Sequence, residues 1–485
     1  MSDQASGLSY TVRFPVLMKY FGQLLLVVAS LTLFPLAVSL ISRETSITFR
    51  YIIVVGGLGL LGWLFSKKRA PEEVQVNEGI VLVACVFLVI SFVMSYPLMA
   101  SGLSFSDALF EAVSGVTTTG LSTLETVEDK TTTFLFSRAW MQWYGGLGIV
   151  VLSLALLFRP GRAAKKLSVT EAEEEDLVGG TKAHARRVFR VYGAVTLLGI
   201  LLLLLTGVDP LDALVYTLAS VSTGGYAPYD DSLRALGGLP SQWVVMTLCL
   251  ACAIPLSFYP VFSRKGWRTS PNAMQLVGVL VACLAASLLL GLSMRVDQQS
   301  SWLEILKNAP ILAISAQTTA GFSNTDVSLL PASAKIVLIV SMALGGGVGS
   351  TAGGFKILRL LMLIGLVRLV IKRTCVSRHA VVVTRVAGQK VGETDMQESL
   401  LIVMLFVAGI VLSWLSFVFM GYAPLDSLFE VVSAIGTVGL SSGLTSMGMP
   451  GFLKAVLCAD MLLGRLEILA WLVMFYPKTW VGRRL

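Results

Sequence analysis

Apolar stretches of roughly 20 residues, long enough to cross the hydrocarbon core of a bilayer as helices, alternate with short polar segments along the chain. Two of them come first, near residues 18–41 and 50–66. Eight more follow as four pairs, so the pattern predicts ten spanning helices. The pairs are 78–100 with 139–158, 189–207 with 242–263, 273–294 with 335–371, and 399–420 with 453–476.

A shorter block lies between the two members of each pair, and the four blocks align without a gap. Each has an apolar run too short to span a bilayer, then an uncharged segment with a threonine two places before a glycine. Such a re-entrant segment exposes backbone amides at membrane depth, which is tolerated only where protein buries them or water bathes them. Four parallel copies therefore predict an aqueous path on a pseudo-fourfold axis. The blocks are DALFEAVSGVTTTGLS (107–122), DALVYTLASVSTGGYA (212–227), NAPILAISAQTTAGFS (308–323) and DSLFEVVSAIGTVGLS (426–441).

The uncharged segments favour a monovalent cation. They offer only carbonyl and hydroxyl oxygens, which can replace the hydration shell of K⁺, whereas a dehydrated divalent ion normally needs carboxylates. Each apolar run is expected to form a half-helix whose carboxyl end favours a cation. The Asp or Asn that begins each block can cap the amino end. The predicted ion-binding residues of this filter are Thr118, Thr119, Gly120, Thr223, Gly224, Gly225, Thr319, Ala320, Gly321, Thr437, Val438 and Gly439.

Composition and charge indicate a membrane protein. Of the 485 residues, 55% are hydrophobic and 14% are charged, whereas soluble domains carry about 25% charged residues. The net charge of +8 does not indicate a nucleic-acid partner, because the basic residues cluster in alternate short loops. This distribution is typical of the cytoplasmic side of a membrane. We therefore expect both termini in the cytoplasm and the four blocks to open outward.

The second apolar stretch of the third unit, 335–371, is too long for one straight span and contains GGGVGSTAGGFK (345–356). Each glycine costs roughly 1 kcal/mol in a helix interior, so this glycine segment predicts an intramembrane loop between two half-helices. A nucleotide-binding loop is not indicated, because no strand precedes it and Phe355 and Ile357 break the Walker A pattern. Close helix packing on small residues is the alternative interpretation.

One full charge lies inside the last apolar stretch. Arg465 stands in DMLLGRLEILAWL (460–472), where a charge costs ~2.5–3.5 kcal/mol on insertion scales and usually faces a cavity or a partner. The alternative to a pore-facing arginine is a structural bond to Glu467, to Asp460 or to a carbonyl of the glycine segment. Glu467, two residues away, does not share the helix face of the arginine.

The four threonine–glycine segments and the glycine segment together resemble the membrane subunit of the Trk/Ktr/HKT superfamily of potassium transporters, above all its bacterial TrkH and TrkG type. The similarity extends over essentially the whole chain, including two leading helices that Ktr-type subunits lack. It implies that each unit contributes one filter loop with a key glycine. Some plant relatives with serine at the first position conduct Na⁺, so Gly120 implies a preference for K⁺. Leu121 and Tyr226, which follow the first two glycines, depart from the family pattern.

The resemblance also implies a gate under the filter. The glycine segment has the family pattern GGxxGSTxGGxK, and in the family an arginine of the fourth unit narrows the path, where its charge hinders a cation. Lys356 lies nearer the cytoplasmic end of the segment, where it can also extend to the interface. The predicted gate residues are Gly345, Gly346, Gly347, Gly349, Gly353, Gly354, Lys356 and Arg465.

The expected fold class is an all-α polytopic membrane protein, with two leading helices and four parallel helix–re-entrant loop–helix repeats around a pseudo-fourfold pore. The resemblance implies a homodimer in the lipid of the bacterial inner membrane, and a cytoplasmic nucleotide-binding regulatory subunit, a TrkA-like ring. Residues 159–190 are a candidate docking face for that subunit, or a solvated loop. The expected divisions are a helix pair (1–76), repeat 1 (77–158), a cytoplasmic loop with repeat 2 (159–263), repeat 3 (264–371), and a cytoplasmic linker with repeat 4 (372–485).

We expect the chain to take up K⁺, either passively or coupled to another ion as in a symporter, with no organic cofactor. A membrane potential of 100 mV is worth about 2.3 kcal/mol per charge, which drives accumulation without an ATPase motif. A Na⁺-conducting or Na⁺/K⁺-coupled transporter of the same architecture is the alternative. An intramembrane hydrolase using Ser350 would need an embedded histidine or paired carboxylates. Both histidines, His184 and His379, fall in basic loops, so no enzymatic activity is expected.

Overall fold

Helices form nearly all the regular structure in the computed structural model, which describes residues 11–70, 74–156, 177–259, 273–297, 299, 301–375, 385–386 and 389–481. The prediction of an all-α chain is confirmed, apart from one antiparallel pair of two-residue strands, β1 (Arg385–Val386) and β2 (Gln389–Lys390). The α-helices in the described ranges are α1 (Phe14–Ile41), α2 (Thr45–Ser66), α3 (Val76–Leu98), α4 (Phe105–Val116), α5 (Thr132–Leu156), α6 (Leu177–Leu205), α7 (Pro210–Val221), α8 (Leu239–Cys252), α9 (Ala273–Asp297), α10 (Trp302–Gln317), α11 (Ala332–Leu344), α12 (Ile357–Cys375), α13 (Glu393–Phe419), α14 (Pro424–Ile435), α15 (Gly451–Leu466), α16 (Ile468–Phe475) and α17 (Pro477–Trp480).

Within the described residues, six helices are long and apolar enough to cross a bilayer: α1, α2, α3 with its 3-10 extension, most of α6, α9 and α13. They support the predicted polytopic fold. The leading helices α1 and α2 approach closely at Gly22 and Gly62. A β-carbon on either glycine would crowd the backbone of the other helix. Small residues at helix crossings allow this approach in lipid.

Four short helices, α4, α7, α10 and α14, follow the first long helix of each unit. Three have 12 residues and α10 has 16. At 1.5 Å per residue, none can cross a hydrocarbon core of about 30 Å. Their carboxyl-terminal halves are almost entirely buried by the surrounding helices. They are the half-helices that the block pattern predicts.

The second helices of the four units differ in continuity. In the third unit the predicted break is observed, because the glycine segment 345–356 separates α11 from α12. The predictions of continuous helices over 242–263 and 453–476 are wrong. The first ends at Cys252, and Glu467, at φ +61°, separates α15 from α16. Both breaks are next to residues that bond the glycine segment, so the second, third and fourth units are interrupted around one place.

Two ion pairs join neighbouring units. The Nζ atom of Lys335 in α11 lies 2.7 Å from Oδ1 of Asp426 in α14. The Nζ atom of Lys454 in α15 lies 2.5 Å from Oδ1 of Asp107 in α4. The predicted capping role of these aspartates is wrong, because Ser104 caps α4 and Ala423 precedes α14; Asn308 lies inside α10 and does not cap it either. Both carboxylates lie in the first turn, where their charge suits the amino end of the helix as predicted, and each also binds a lysine of the preceding unit. The second pair bonds the fourth unit to the first and so closes the set of four. Of the predicted docking face, 159–176 lie outside the described residues.

Candidate ion-conducting site

The four segments after the half-helices share one backbone conformation. In each, the aligned threonine has a φ between +49° and +56°, and the glycine two places later has a φ between +74° and +92°. The amide between them donates to a carbonyl in the half-helix at 2.8–2.9 Å. Glycine adopts such angles without strain. The threonines are Thr118, Thr223, Thr319 and Thr437, and the glycines are Gly120, Gly225, Gly321 and Gly439.

The left-handed threonines are the strongest structural sign of function in these loops. A β-branched residue with positive φ is an outlier, and strain of this kind costs on the order of 1–3 kcal/mol per residue. Each threonine amide donates at 3.0–3.2 Å to the carbonyl three residues earlier, which helps to hold the conformation. The sequence analysis did not predict this conformation for the threonines. Since such strain collects at functional sites, its occurrence at four matched positions identifies the loops as a candidate site.

The four loops form a closed ring. A β-carbon added to the aligned glycine of any loop would overlap a backbone carbonyl oxygen of the next loop, so glycine is required at each junction. The ring brings the twelve predicted filter residues together. The junctions run from Gly120 to Gly224, from Gly225 to Ala320, from Gly321 to Val438, and from Gly439 back to Thr119.

Two buried glutamates that the sequence analysis missed hold the chain that leaves the first and fourth loops. Glu430 of α14 accepts hydrogen bonds from the Ser441 hydroxyl at 2.6 Å, the Ser442 amide at 2.8 Å and the Thr445 hydroxyl at 2.8 Å. Glu111, at the same alignment position in α4, accepts at 2.6 and 3.0 Å from the corresponding serine and the next amide. A carboxylate recurring inside an apolar run was the available signal.

The glycine segment 345–356 lies directly against the ring and bonds three of its loops. The Thr319 hydroxyl accepts from a segment amide at 2.6 Å, and the Thr223 hydroxyl lies 3.3 Å from that of Thr351. The carbonyl of Gly436, next to the fourth loop, accepts from a second segment amide at 3.0 Å. The segment therefore covers one end of the ring.

Most of the predicted gate glycines pack either against the chain that follows α8 or on the side of the ring. Gly346 and Gly347 pack against the chain that follows α8, and Gly345 packs against Gly353. Gly353 faces the ring, where a β-carbon would overlap the Gly436 carbonyl and the Thr437 hydroxyl; its neighbour Gly354 supplies the amide that bonds Gly436. Gly349 has no neighbour within 4 Å of the position a β-carbon would take. Lys356 is half-buried, and its ammonium donates to the Ala352 carbonyl of the same segment.

Arg465 is buried in the last turn of α15, not in the middle of a helix. One terminal nitrogen donates to the Thr351 carbonyl of the glycine segment at 2.9 Å, and the other donates to the Gly145 carbonyl of α5 at 3.1 Å. Of the three structural partners that the sequence left open, the segment carbonyl is the one observed. Glu467 pairs with Arg359 at 2.7 Å, and the Asp460 carboxylate accepts from the Ser413 hydroxyl. The guanidinium thus joins the first, third and fourth units beside the ring.

Comparisons with known proteins agree with this architecture. The TrkH family, described as a cation transport protein, matches residues 43–284 and 304–480. The Trk system potassium uptake protein TrkI of Halomonas elongata is 30% identical over 485 residues, which cover 96% of this chain and 97% of that protein. The Trk system potassium uptake protein TrkH of Escherichia coli is 26% identical over 488 residues, which cover 97% and 100%. The crystal structure of the potassium transporter TrkH from Vibrio parahaemolyticus matches with a TM-score of 0.85 and 23% identity over 97% of this chain and 100% of the other, which shows a common fold.

Proposed function

The chain belongs to the TrkH family of cation transport proteins, and from this we propose that it takes up K⁺ through the ring of four loops. The ring closure carries the proposal, because it gathers uncharged oxygens of all four units around one centre. Carbonyl oxygens in such an arrangement can replace the hydration shell of a monovalent cation. In this proposal the four repeats surround a pseudo-fourfold pore. The boundaries between them are those that the sequence predicts, near residues 77, 159, 264 and 372.

The filter residues offer two kinds of oxygen ligand for an ion, backbone carbonyls and threonine hydroxyls. The aligned glycines let neighbouring carbonyls approach, and the middle residue of each loop supplies one such carbonyl. The hydroxyls of Thr118 and Thr437 are buried and have no hydrogen-bond partner among the described residues. A buried hydroxyl without a partner is costly, and a cation bound by these two oxygens would offset that cost.

The glycine segment and Arg465 form the proposed gate. The segment covers one end of the ring through bonds to three loops, and the guanidinium holds its Thr351 carbonyl in place. A buried positive charge next to the path also repels a cation that leaves the filter. Opening the path then requires that these hydrogen bonds be released together. The Lys356 side chain adds a hydrogen bond within the segment, to the Ala352 carbonyl.

The family also suggests how the protein is arranged in the cell. TrkI and TrkH, two of its relatives, are Trk system potassium uptake proteins. We propose that this chain is likewise a multi-pass protein of a bacterial inner membrane with both termini in the cytoplasm. A homodimer with a TrkA-like nucleotide-binding ring on the cytoplasmic side is the proposed assembly. K⁺ is the transported ion, and no organic cofactor or enzymatic reaction forms part of the proposal.

Reconstitution tests the transport function. The purified protein in lipid vesicles loaded with K⁺ should accumulate ⁸⁶Rb⁺ along the electrical gradient, and external K⁺ should compete with the tracer more strongly than Na⁺. Competition by Na⁺ equal to that by K⁺ would favour the Na⁺-conducting alternative. Vesicles with folded protein and no flux above protein-free vesicles would overturn the proposal.

Shortening the glycine segment tests the gate. Deleting residues 346–352 removes the Thr351 carbonyl and the cover of the ring, and ⁸⁶Rb⁺ flux per folded molecule should rise severalfold. Flux should also respond less to a cytoplasmic regulatory subunit. A deletion that inserts normally and leaves both quantities unchanged would reduce the segment to helix packing.

A further inference from the structure

We propose that Gln142 of α5 sets the ion selectivity of the second filter loop, an inference that rests on the proposed transport function. Gln142 is completely buried. Its amide nitrogen donates to the carbonyl oxygen of Gly224 at 2.5 Å, and its amide oxygen accepts from the Tyr226 amide at 3.1 Å. A side chain of the first unit therefore forms hydrogen bonds to the backbone of the second filter loop on both sides of Gly225.

The hydrogen bond from Gln142 to the Gly224 carbonyl makes the ring chemically asymmetric. The Gly224 carbonyl faces Gly120 at one ring junction, and an equivalent carbonyl faces the aligned glycine at each of the other three junctions. Those counterparts, the carbonyls of Thr119, Ala320 and Val438, receive no hydrogen bond within the described ranges. One carbonyl of the four thus carries a donated N–H while the others do not.

The positions that match Gln142 in two other units are apolar. Gly145 and Gly464 both pack on a carbonyl at the end of a half-helix, which aligns α5 with α15 and sets Met461 at the matched position. Lys335 and Lys454 pair equivalent aspartates, and their alignment sets Met342 at the matched position of α11. Both methionines are fully buried. The chain itself therefore indicates methionine as the residue that fills this place without donating a hydrogen bond.

The donated hydrogen bond weakens the Gly224 carbonyl as an ion ligand. A carbonyl oxygen has two lone pairs, so it can bind an ion while it accepts a hydrogen bond. The positive end of the N–H dipole, however, opposes the cation, and in a buried site this opposition is strong. The number and field strength of the coordinating carbonyls are determinants of K⁺ over Na⁺ selectivity. Because Na⁺ is the smaller ion and gains more from a strong ligand field, weakening one carbonyl favours K⁺.

The loop has other anchors, so removing the Gln142 bond should not unfold it. The ring of Tyr226 lies on the guanidinium of Arg138, 3.8 Å from the ring centroid, and its hydroxyl donates to the Glu111 carbonyl at 3.0 Å. Arg138 and the Glu111 side chain form a buried ion pair at 2.9 Å. These contacts also explain why tyrosine follows the second filter glycine: its ring spans the boundary between the first two units.

The test measures the Na⁺/K⁺ permeability ratio from reversal potentials of the full-length protein in planar bilayers or vesicles. Gln142→Met should raise the ratio about fivefold, which corresponds to ~1 kcal/mol, while K⁺ flux persists. Gln142→Leu should act in the same direction. The matched control is Trp143→Phe, one residue along the same helix, which removes a hydrogen bond to Thr196 away from the filter and should leave the ratio unchanged.

Each outcome decides the inference. A ratio that rises in both Gln142 variants and not in the control supports it. An unchanged ratio, or an equal loss of flux for both ions, overturns it and leaves a packing role. Failure of both variants to yield folded protein likewise makes Gln142 structural and overturns it. Should the wild-type protein itself carry no K⁺-selective flux, the proposed function fails first, and the two failures remain distinct.

Discussion

Gly120 lies at one of the four junctions of the ring, and its backbone has a φ of +91°. A β-carbon there would overlap the Gly224 carbonyl, so Gly120→Ser must displace one carbonyl of the proposed filter. We expect Na⁺ permeability to rise relative to K⁺, with K⁺ flux reduced about tenfold if the displacement costs ~1.4 kcal/mol. Reversal potentials under bi-ionic conditions measure the ratio.

Gly102 provides a matched control for backbone strain. It has a similar φ of +84° but no atom within 4 Å of the β-carbon position, so Gly102→Ser strains the backbone without touching a filter loop. This variant should keep the wild-type permeability ratio. If Gly120→Ser and substitutions at Gly225, Gly321 and Gly439 also keep it while the proteins fold normally, these loops do not form the filter.

Glu430 acts at the residue scale through the donors it satisfies. Glu430→Ala leaves two hydroxyls and at least one amide behind the fourth loop without their acceptor, and each unsatisfied group costs ~1–3 kcal/mol. We expect a clear fall in the thermal unfolding temperature in detergent and a loss of ion selectivity. Glu430→Gln keeps an acceptor oxygen and should lie between wild type and alanine; equal stability of all three proteins would contradict the role.

The filter and the glutamates show what a single sequence reveals about residues. The threonine and glycine columns were predictable because they recur four times in register. The glutamates were not assigned a role, because their partners lie 11 to 15 residues along the chain and the contact depends on the fold of the loop. Gln142 was missed for the same reason at longer range: its partners Gly224 and Tyr226 belong to another unit.

At the scale of elements, Arg465 joins α15 to the glycine segment and to α5. Arg465→Ala removes both hydrogen bonds and a buried charge next to the proposed path, so we expect more K⁺ flux per folded molecule. Arg465→Lys keeps the charge but loses the planar fork that reaches two carbonyls, and it should give an intermediate flux. Tracer uptake divided by the amount of folded protein measures the effect.

A structural role for the same arginine gives the opposite pattern. If its two bonds serve only to hold the helices, alanine should lower the yield of folded protein and leave the flux of each remaining molecule unaltered. Arg359→Ala is the control. It removes the partner of Glu467 and a hydrogen bond to the Phe355 carbonyl at the far end of the segment, but it leaves the bond to the Thr351 carbonyl in place. A rise in flux in this control as large as in Arg465→Ala would argue against a specific barrier.

Helix breaks were predictable only where the residues themselves disfavour a helix. The glycine density of 345–356 indicated the break between α11 and α12. The end of α8 at Cys252 also has a local cause, because Pro255 lies three residues later and disfavours a continuous helix. The break at Glu467 carries no comparable local signal. Both places bond the glycine segment or border a residue that does: the Cys252 carbonyl accepts from Thr351, and Arg465 precedes Glu467 by two positions. Tertiary contacts with the segment accompany both breaks, and after Cys252 the local effect of Pro255 acts in the same direction.

At the scale of the whole molecule, the four units are alike in backbone and different in their supports. The first and fourth loops are held by buried glutamates, the second by Gln142, and the second and third bond the glycine segment through their threonine hydroxyls. A gate that touches some units more than others can shift the ring unevenly. One chain with four diverged units permits this, whereas four identical subunits would impose the same contacts on every loop.

We expect ring closure to depend on the ion pair between the last unit and the first. The side chains of Lys454 and Asp107 are only 6% and 8% exposed, and they lie 2.5 Å apart. Lys454→Met or Asp107→Asn alone leaves a buried partner without its counter-charge, at a cost of ~3–5 kcal/mol if burial is complete. The double variant removes both charges, so it should lose less stability than the sum of the single changes.

Thermal unfolding in detergent across this double-mutant cycle measures the coupling, with Lys335 and Asp426 as the comparison pair. Because Asp426 keeps 30% exposure of its side chain, solvent screens that pair more, and its coupling should be smaller. If the ring is the conducting path, the Lys454 and Asp107 variants should also change the Na⁺/K⁺ permeability ratio, since they loosen the junction from Gly439 to Thr119. Additive losses of stability together with an unaltered ratio would mean that the ring closes through its loops alone and needs no ion pair at its outer edge.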